Sequence, residues 1–316
     1  MIGHIFAGSA QYPKDTPPPV VTIGNFDGIH VGHQHLLART LHHAKERNAP
    51  ACVFTFEPSP RSLLSPNLQV PRIALWNQKV LLLKKLGIHH IVLERFSKAF
   101  AQHSPEWFVR EIISKRLRAQ ALIVGYDFRF GRARGGNSGL VRKLLPNVFL
   151  EEVNALKRNG DIVSSSAIRT KISDGEVEEA SHLLGRPHLV KGVVVSGAQR
   201  GRQLGFPTAN LQVDAELVPA NGVYAVKVRV DRKEWRYAIA NLGMRPTFMG
   251  HSFQIEVHIF DFSQDIYGCE MEVCFFSRLR AEQRFSSSSE LVSQLRVDIQ
   301  KVRAFFEQKK DIDLWF

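Results

Sequence analysis

The sequence predicts an α/β domain with a doubly wound parallel sheet, followed by a small antiparallel β-barrel that ends in a helix. Three observations carry this. In the first half, apolar runs such as Val20-Val21-Thr22-Ile23, Ala51-Cys52-Val53-Phe54-Thr55-Phe56 and Ala121-Leu122-Ile123-Val124-Gly125 alternate with helical stretches. Strands buried on both faces read this way, and the alternation implies parallel pairing through crossover helices. In the second half, several short runs at close spacing alternate polar with apolar residues, as half-buried strands of a small barrel do. Between them, Arg186-Pro187-His188 breaks a helical pattern that ends at Leu184-Gly185. Residues 1–185 and 186–316 therefore read as two domains, in keeping with a length of 316 residues.

The first strand runs into Gly24-Asn25-Phe26-Asp27-Gly28-Ile29-His30-Val31-Gly32-His33. Glycine allows sharp turns and close backbone approach to a ligand. A helix starting near Gly32 and reading through Leu36 to Asn48 aims free N–H groups and a partial positive charge at this loop, which suits phosphate. His30 and His33 can donate to phosphate oxygens there and balance developing charge. A zinc site would need a second ligand pair at suitable spacing, which His42-His43 and His89-His90 do not supply.

Farther along, the prolines of Glu57-Pro58-Ser59-Pro60-Arg61 forbid regular structure. Asn77 to Leu86 reads as a helix stopped by Gly87, and His90-Ile91-Val92-Leu93 as a strand. Ser104-Pro105-Glu106 opens a helix to about Leu117 with an N-cap and a first-turn proline. The strand at Ala121 runs into Gly125-Tyr126-Asp127-Phe128-Arg129-Phe130-Gly131-Arg132, then Arg134-Gly135-Gly136-Asn137. That loop is either a solvated basic turn or a nucleotide contact; its place at a strand end favours the latter, since ligands of such sheets bind there. Val163-Ser164-Ser165-Ser166-Ala167-Ile168-Arg169 precedes a helical run from Ile172 to Leu184. Serines there can be plain N-caps, but Ser166 and Arg169 lie one turn apart and could share a face toward triphosphate oxygens.

Charge is uneven. Residues 1–186 carry 25 Lys/Arg against 15 Asp/Glu, and residues 187–316 carry 17 against 15. The basicity belongs to the first half, where nucleic acid and a small polyphosphate are the candidate partners. The sparse cysteines Cys52, Cys269 and Cys274 argue against a disulfide framework and fit a reducing compartment. No run approaches the ~18 apolar residues of a membrane span, and Met1 to Pro13 lacks the pattern of a signal peptide.

In the second half the strand candidates are residues 189–195, 222–228, 235–240, 255–260 and 271–276. An amphipathic helix from Ser289 to Gln308 closes the chain, with Leu291, Val292, Leu295, Ile299, Val302, Phe305 and Phe306 on one face. Gly197-Ala198-Gln199-Arg200-Gly201-Arg202-Gln203-Leu204-Gly205-Phe206-Pro207-Thr208-Ala209-Asn210 is glycine-rich but is not a Walker A loop. Its Thr208 hydroxyl and Asn210 carbonyl are hard oxygen donors suited to Mg²⁺.

These motifs resemble, in order, those of bacterial bifunctional riboflavin kinases/FAD synthetases. The resemblance covers about residues 18 to 306 and implies a Rossmann-like H-x-G-H nucleotidyltransferase domain and a riboflavin-kinase barrel. It casts His30 and His33 as phosphate-contacting histidines. Gly24, Phe26, Asp27, Gly28 and Gly32 fall in the same loop, Asp127 would position the flavin nucleotide, and Ser166 and Arg169 would contact ATP phosphates. In the second domain, Gly197, Arg202, Gly205 and Pro207 match G-R-x-L-G-F-P-T-A-N, with Thr208 and Asn210 as Mg²⁺ ligands. Asn241 to Phe248 resembles N-I-G-x-R-P-T-F, Glu256 aligns with the catalytic glutamate, and Arg280 with an arginine near the flavin. Two departures stand out: Ser59 lies where many members have histidine, and Ser166 where threonine is frequent.

The implied chemistry is ATP-dependent phosphorylation of riboflavin to FMN, releasing ADP, and adenylylation of FMN to FAD, releasing pyrophosphate, with Mg²⁺ serving both. The expected protein is cytoplasmic, a monomer or weak oligomer, with no nucleic-acid or membrane partner. An RNA-binding reading lacks the interleaved aromatic and basic pattern of single-strand modules. An aminoacyl-tRNA synthetase would need a lysine-rich loop, and Ser164 to Arg169 has no lysine. A third reading keeps only the kinase active.

Overall fold

Short β-branched runs in the first half become the centre of a parallel sheet. Its strands are β1 (His4–Phe6), β2 (Val20–Ile23), β3 (Ala51–Glu57), β4 (His90–Arg95), β5 (Ala121–Gly125) and β6 (Phe149–Val153), in the order β1-β4-β3-β2-β5-β6. Every pair is parallel. These are features of a computed structural model that describes residues 3–64, 70–158, 160–197, 200–247 and 250–309. Connecting helices are α1 (Val31–Glu46), α2 (Pro60–Leu64), α3 (Trp76–Lys85), α4 (Lys98–Ala101), α5 (Pro105–Trp107, wound on as a π-helix over Phe108–Arg116) and α6 (Ser138–Leu144). A small hairpin follows, β7 (Lys157–Arg158) with β8 (Asp161–Ile162). Val21, Ile23, Cys52, Phe54, Leu122 and Val124 from the strands pack with Val109, Ile112 and Ile113 in one core. Each such burial stabilises by about 1.5–3 kcal/mol.

The order of strands fixes where a ligand can sit. β3 and β4 lie on one side of β2, while β5 and β6 lie on the other. The sequence direction reverses between β2 and β5, and at such a switch point the loops part to leave a crevice at the strands' carboxyl ends.

The second half forms α7 (Ser165–Ser173), α8 (Val177–Leu184), β9 (His188–Val195), α9 (Arg200–Gln203), β10 (Ala209–Asp214), β11 (Gly222–Val230), β12 (Trp235–Thr247), β13 (Gly250–Ile259), β14 (Glu270–Arg280) and α10 (Ser288–Gln308). The strands close an antiparallel barrel in the order β10-β13-β12-β11-β14-β9. Val190, Leu211, Tyr224, Ala240, Ile255, Val257 and Phe275 fill its interior. On the outer surface Val302 and Phe306 of α10 pack with Val223, Ala225, Ile239 and Phe276.

The chain divides into two compact units: Met1–Pro71 with Leu75–Ser164, and Arg72–Ala74 with Ser165–Phe316. This division lies ahead of the 185/186 boundary read from the sequence and groups α7 and α8 with the barrel. Other elements differ from expectation. Pro60 does not exclude helix but starts one, because its fixed φ suits a first turn. The run from Ile172 to Leu184 is two helices, parted at Gly175 (φ +79°), and Ser166 lies within the first of them rather than ahead of it. α1 starts at Val31, beside the expected Gly32, but ends at Glu46, and the left-handed Asn48 (φ +49°) lies beyond it. β1, β6 and β10 are strands that the sequence reading lacked. All three cysteines are free thiols, Cys52 and Cys274 buried.

Candidate active sites

In the first unit, three of the predicted segments follow three adjacent strands. β2 hands over to Gly24, whose N–H donates to the Phe54 carbonyl of β3 at 3.1 Å. The chain then passes through left-handed Phe26 (φ +50°), Gly28 (φ +76°) and Ile29 (φ +42°). Phe26, Gly28 and Ile29 are buried and Asp27 half-buried. This tight turn delivers His30 as the N-cap of α1, with its Nδ1 accepting from the His33 backbone N–H at 3.3 Å. An imidazole accepting at Nδ1 carries its proton on Nε2 when neutral. His30 thereby keeps a donor that the cap does not use. The two imidazoles stack, with centroids 3.6 Å apart and planes at 17°, and Phe26 meets His33 edge-on at 5.2 Å.

Gly32 explains the spacing of the pair. A Cβ there would lie 3.2 Å from His30 Nδ1 and 3.3 Å from its Cε1, so a side chain at this position would press the folded-back ring aside by a few tenths of an ångström. His33 is held well below the ordinary histidine pKa, first by burial and then by His30 and Lys79. Its Nδ1 is buried with no hydrogen-bond partner. Burial thus keeps His33 neutral, so that it can donate through one ring N–H only.

After β5, which pairs with β2, the chain reaches Asp127, exposed and beside Gly125, and then Phe130 on the core. Arg129, Arg132 and Arg134 are exposed along this loop. After β3, Ser59 Oγ accepts from the Ser62 N–H at 3.2 Å, which makes it a cap for α2. Ser166 and Arg169 lie in the first turns of α7, Ser166 exposed and Arg169 half-buried, and belong to the second unit. Sequence reasoning missed Lys79 of α3, a buried lysine whose Nζ donates to the Asn25 carbonyl at 3.0 Å. The available signal was its place three residues after Trp76 and three before Leu82, on an apolar stripe.

In the second unit one row of the barrel gathers residues from distant motifs. Asn210 of β10 pairs with Glu256 of β13, Glu256 with Asn241 of β12, Asn241 with Val223 of β11, and Val223 with Arg280 of β14. Register partners share a face. Ile255 and Val257, which flank Glu256, point into the barrel, so the row lies on the outside. Asn210 is buried, its Oδ1 accepts from Gln254 Nε2, and a Cβ on Gly197 would overlap its amide. Thr208 sits two residues before it, its Oγ1 3.1 Å from where a Cβ of Gly201 would stand. The loop between carries exposed Arg202, left-handed Gly205 (φ +83°) and exposed Pro207, whose carbonyl accepts from His258 Nδ1 at 2.8 Å.

Arg280 ends the row. Its Nε and Nη2 both reach Asp298 Oδ2 of α10, at 2.9 and 2.8 Å, and Asp298 is fully buried. Gln294 donates to the other oxygen at 2.8 Å. Ala198, Gln199 and Phe248 of the predicted motifs lie outside the described residues.

Among the described residues no group of three or more His, Cys, Asp or Glu could hold a metal ion. Thr208 and Asn210 still fit Mg²⁺. Both offer neutral hard oxygens, and Mg²⁺ keeps most of its waters and takes few protein ligands.

Comparison with known proteins decides the family. A model described as FAD synthetase matches residues 12–167, and one described as riboflavin kinase matches 184–306. A bifunctional riboflavin kinase/FMN adenylyltransferase of Haemophilus influenzae is 35% identical, covering 90% of this chain and 94% of that protein. The chain belongs to the bifunctional riboflavin kinase/FMN adenylyltransferase family. The Escherichia coli K12 member is 36% identical over 91% of this chain and 92% of its own length. A crystal structure described as a macrolide-efflux protein from Streptococcus pneumoniae has the same fold, with a TM-score of 0.87, 33% identity, and coverage of 96% of this chain and 99% of that one. In the described residues no helix is long and apolar enough to cross a membrane.

Proposed function

We propose that the outer row of the barrel phosphorylates riboflavin to FMN, and that the loops after β2, β3 and β5 adenylylate FMN to FAD. Residues 186–316 carry the first activity and residues 1–185 the second. The family membership supports both reactions; the single observation that favours this assignment of residues is the row from Asn210 through Glu256 and Asn241 to Arg280.

In the kinase, Glu256 accepts the proton of the riboflavin 5′-hydroxyl as its oxygen bonds to the γ-phosphorus of ATP, and ADP leaves with the electron pair. Thr208 and Asn210 would hold Mg²⁺, which supplies charge neutralisation at the phosphates. Gly197, Gly205, Arg202 and Pro207 shape the loop over them, and Asn241 and Arg280 line the flavin side.

In the first domain, a phosphate oxygen of FMN attacks the α-phosphorus of a second ATP in line, and pyrophosphate departs without a covalent intermediate. His30 and His33 donate to the phosphates at the α1 N-terminus, within the Gly24–Gly32 loop. Asp127 orients FMN, while Ser166 and Arg169 hold the β- and γ-phosphates. The excess of Lys and Arg in residues 1–186 suits two anionic substrates. We place the enzyme in the cytoplasm as a monomer or weak oligomer acting on small molecules, without nucleic-acid or membrane partners; its three free thiols agree with that compartment.

One assay tests the reading: pure protein with riboflavin, ATP and Mg²⁺, the flavins then being resolved by chromatography. FMN and FAD should both form. No FMN refutes the kinase assignment, and FMN without FAD refutes that of the first domain.

A further inference from the structure

Buried ammonium groups are rare, because burial strips their hydration, and one found beside a functional loop calls for a reason. Lys79 is such a group. On α3 it is buried together with Leu82 and Leu83, at 7% exposure. Its Nζ reaches back toward the β2 loop, 3.0 Å from the Asn25 carbonyl and 5.4 Å from the Trp76 ring centre. That carbonyl also accepts from Thr55 Oγ1 of β3 at 3.3 Å.

Asn25 is the last residue before the turn whose Phe26 and Ile29 both hold positive φ. Each such residue costs on the order of 1 kcal/mol and persists only when its surroundings over-determine it. The turn therefore needs a clamp on the carbonyl that enters it, and α3 supplies one. What leaves the turn is His30, the cap of α1. The charge of Lys79 also acts on His33, adding to burial and His30 in holding that imidazole neutral.

We propose that Lys79 is a positioning residue of the adenylyl-transfer centre. It fixes the Asn25 carbonyl, sets the turn that presents His30 and His33, and stands behind the loop that receives the triphosphate. The inference rests on the assignment of His30 and His33 to that centre.

The test compares Lys79→Met, which keeps the apolar stem and removes the ammonium, with Lys79→Arg, which keeps the charge. Each variant is assayed for FAD formation from FMN and ATP. Circular dichroism and the melting temperature report on folding, and FMN formation from riboflavin on the integrity of the barrel unit. In Lys79→Met, kcat for FAD formation should fall by about tenfold or more, as for a misplaced catalytic group, with KM for FMN nearly unchanged. The acid limb of its pH profile should move to higher pH, because His33 loses a neighbouring cation while His30 still faces it. Lys79→Arg should restore the limb and part of kcat. Lys79→Met with kcat within about twofold of the parent and an unmoved acid limb overturns the proposal. So does a loss of FAD formation in both variants that tracks a lowered melting temperature, which marks a lysine needed only for folding. A parent chain that makes FMN but no FAD refutes the assignment of the centre instead.

Discussion

Gly32→Ala separates stability from activity in the first domain. The new Cβ would stand 3.2 Å from His30 Nδ1 and 3.3 Å from Cε1, closer than comfortable van der Waals contact, so the ring must yield by a few tenths of an ångström. The cap it makes to the His33 N–H is already 3.3 Å long, and a shift of about 0.3 Å takes it beyond hydrogen-bond range. Losing a cap costs about 0.5–2 kcal/mol, typically ~1, while alanine in place of glycine in a helix returns about 0.5–1 kcal/mol. The thermal midpoint should therefore hardly move. Activity has no such offset. Without the cap, Nδ1 of His30 no longer fixes the proton on Nε2, and the stacked pair loses its aim at the phosphates. Removing one preorganised donor costs about 10²–10³ in rate, and a partly displaced one should cost about ten- to a hundredfold. The assay follows FAD formation from FMN and ATP, beside FMN formation from riboflavin and the melting temperature. Unaltered FAD turnover would refute this account of the H-x-G-H spacing, as would a loss that merely tracks a lowered melting temperature.

Three further outcomes can be checked. Glu256→Ala should lower FMN formation by about 10²–10⁴ and leave FAD formation from supplied FMN intact; loss of both activities would contradict separate sites. Asp298→Asn leaves Arg280 without its buried carboxylate and should destabilise the barrel unit by about 3 kcal/mol in chemical denaturation, whereas a change below about 1 kcal/mol would show the pair to be solvent-screened. His188 is buried, donates through Nε2 to the Leu217 carbonyl, and is pushed down to about 4 by burial. Unfolded, it titrates near 6.5, so between these values the unfolded chain binds a proton that the folded one refuses, and stability falls as pH drops through that window. The barrel's urea midpoint should reflect a loss of about 2 kcal/mol between pH 7 and pH 5 from this group, and His188→Gln should flatten that slope; a parent midpoint independent of pH would disprove the assignment.

How much of this could be read from the sequence depended on whether the signal was local. β2, β3 and β5 are runs of apolar residues whose burial on both faces is written in composition alone. β6 is not, because Phe149-Leu150-Glu151-Glu152-Val153 lies at a sheet edge, where two glutamates are tolerated. β1 is only three residues long, too short for any period. β10 does alternate, but its first residues coincide with a glycine-rich motif whose composition signals a loop. The break between α7 and α8 rests on one left-handed glycine inside a stretch whose apolar spacing runs on without pause. Lys79 was hidden by its type, since a lysine in a helix reads as solvated unless the apolar stripe it occupies is weighed against its charge.

The barrel row shows a different limit. On an isolated strand, Glu256 between two buried residues is an ordinary outward-facing side chain, and nothing in its spacing argues otherwise. What changes its meaning is register: antiparallel pairing sets it between Asn210 and Asn241, with Arg280 two strands beyond Asn241 on the same face. Neighbouring strands lie about 4.8 Å apart, so Glu256 and Arg280 are separated by roughly three strand spacings. Three of six spacings set them on opposite sides of the closed barrel wall. Shifting any one strand by a single residue would turn its side chains to the opposite face and dismantle the row, even though every motif residue remained present. The motifs thus name the candidates, and the closed barrel, which leaves no edge strand free to slip, fixes the register that aligns them.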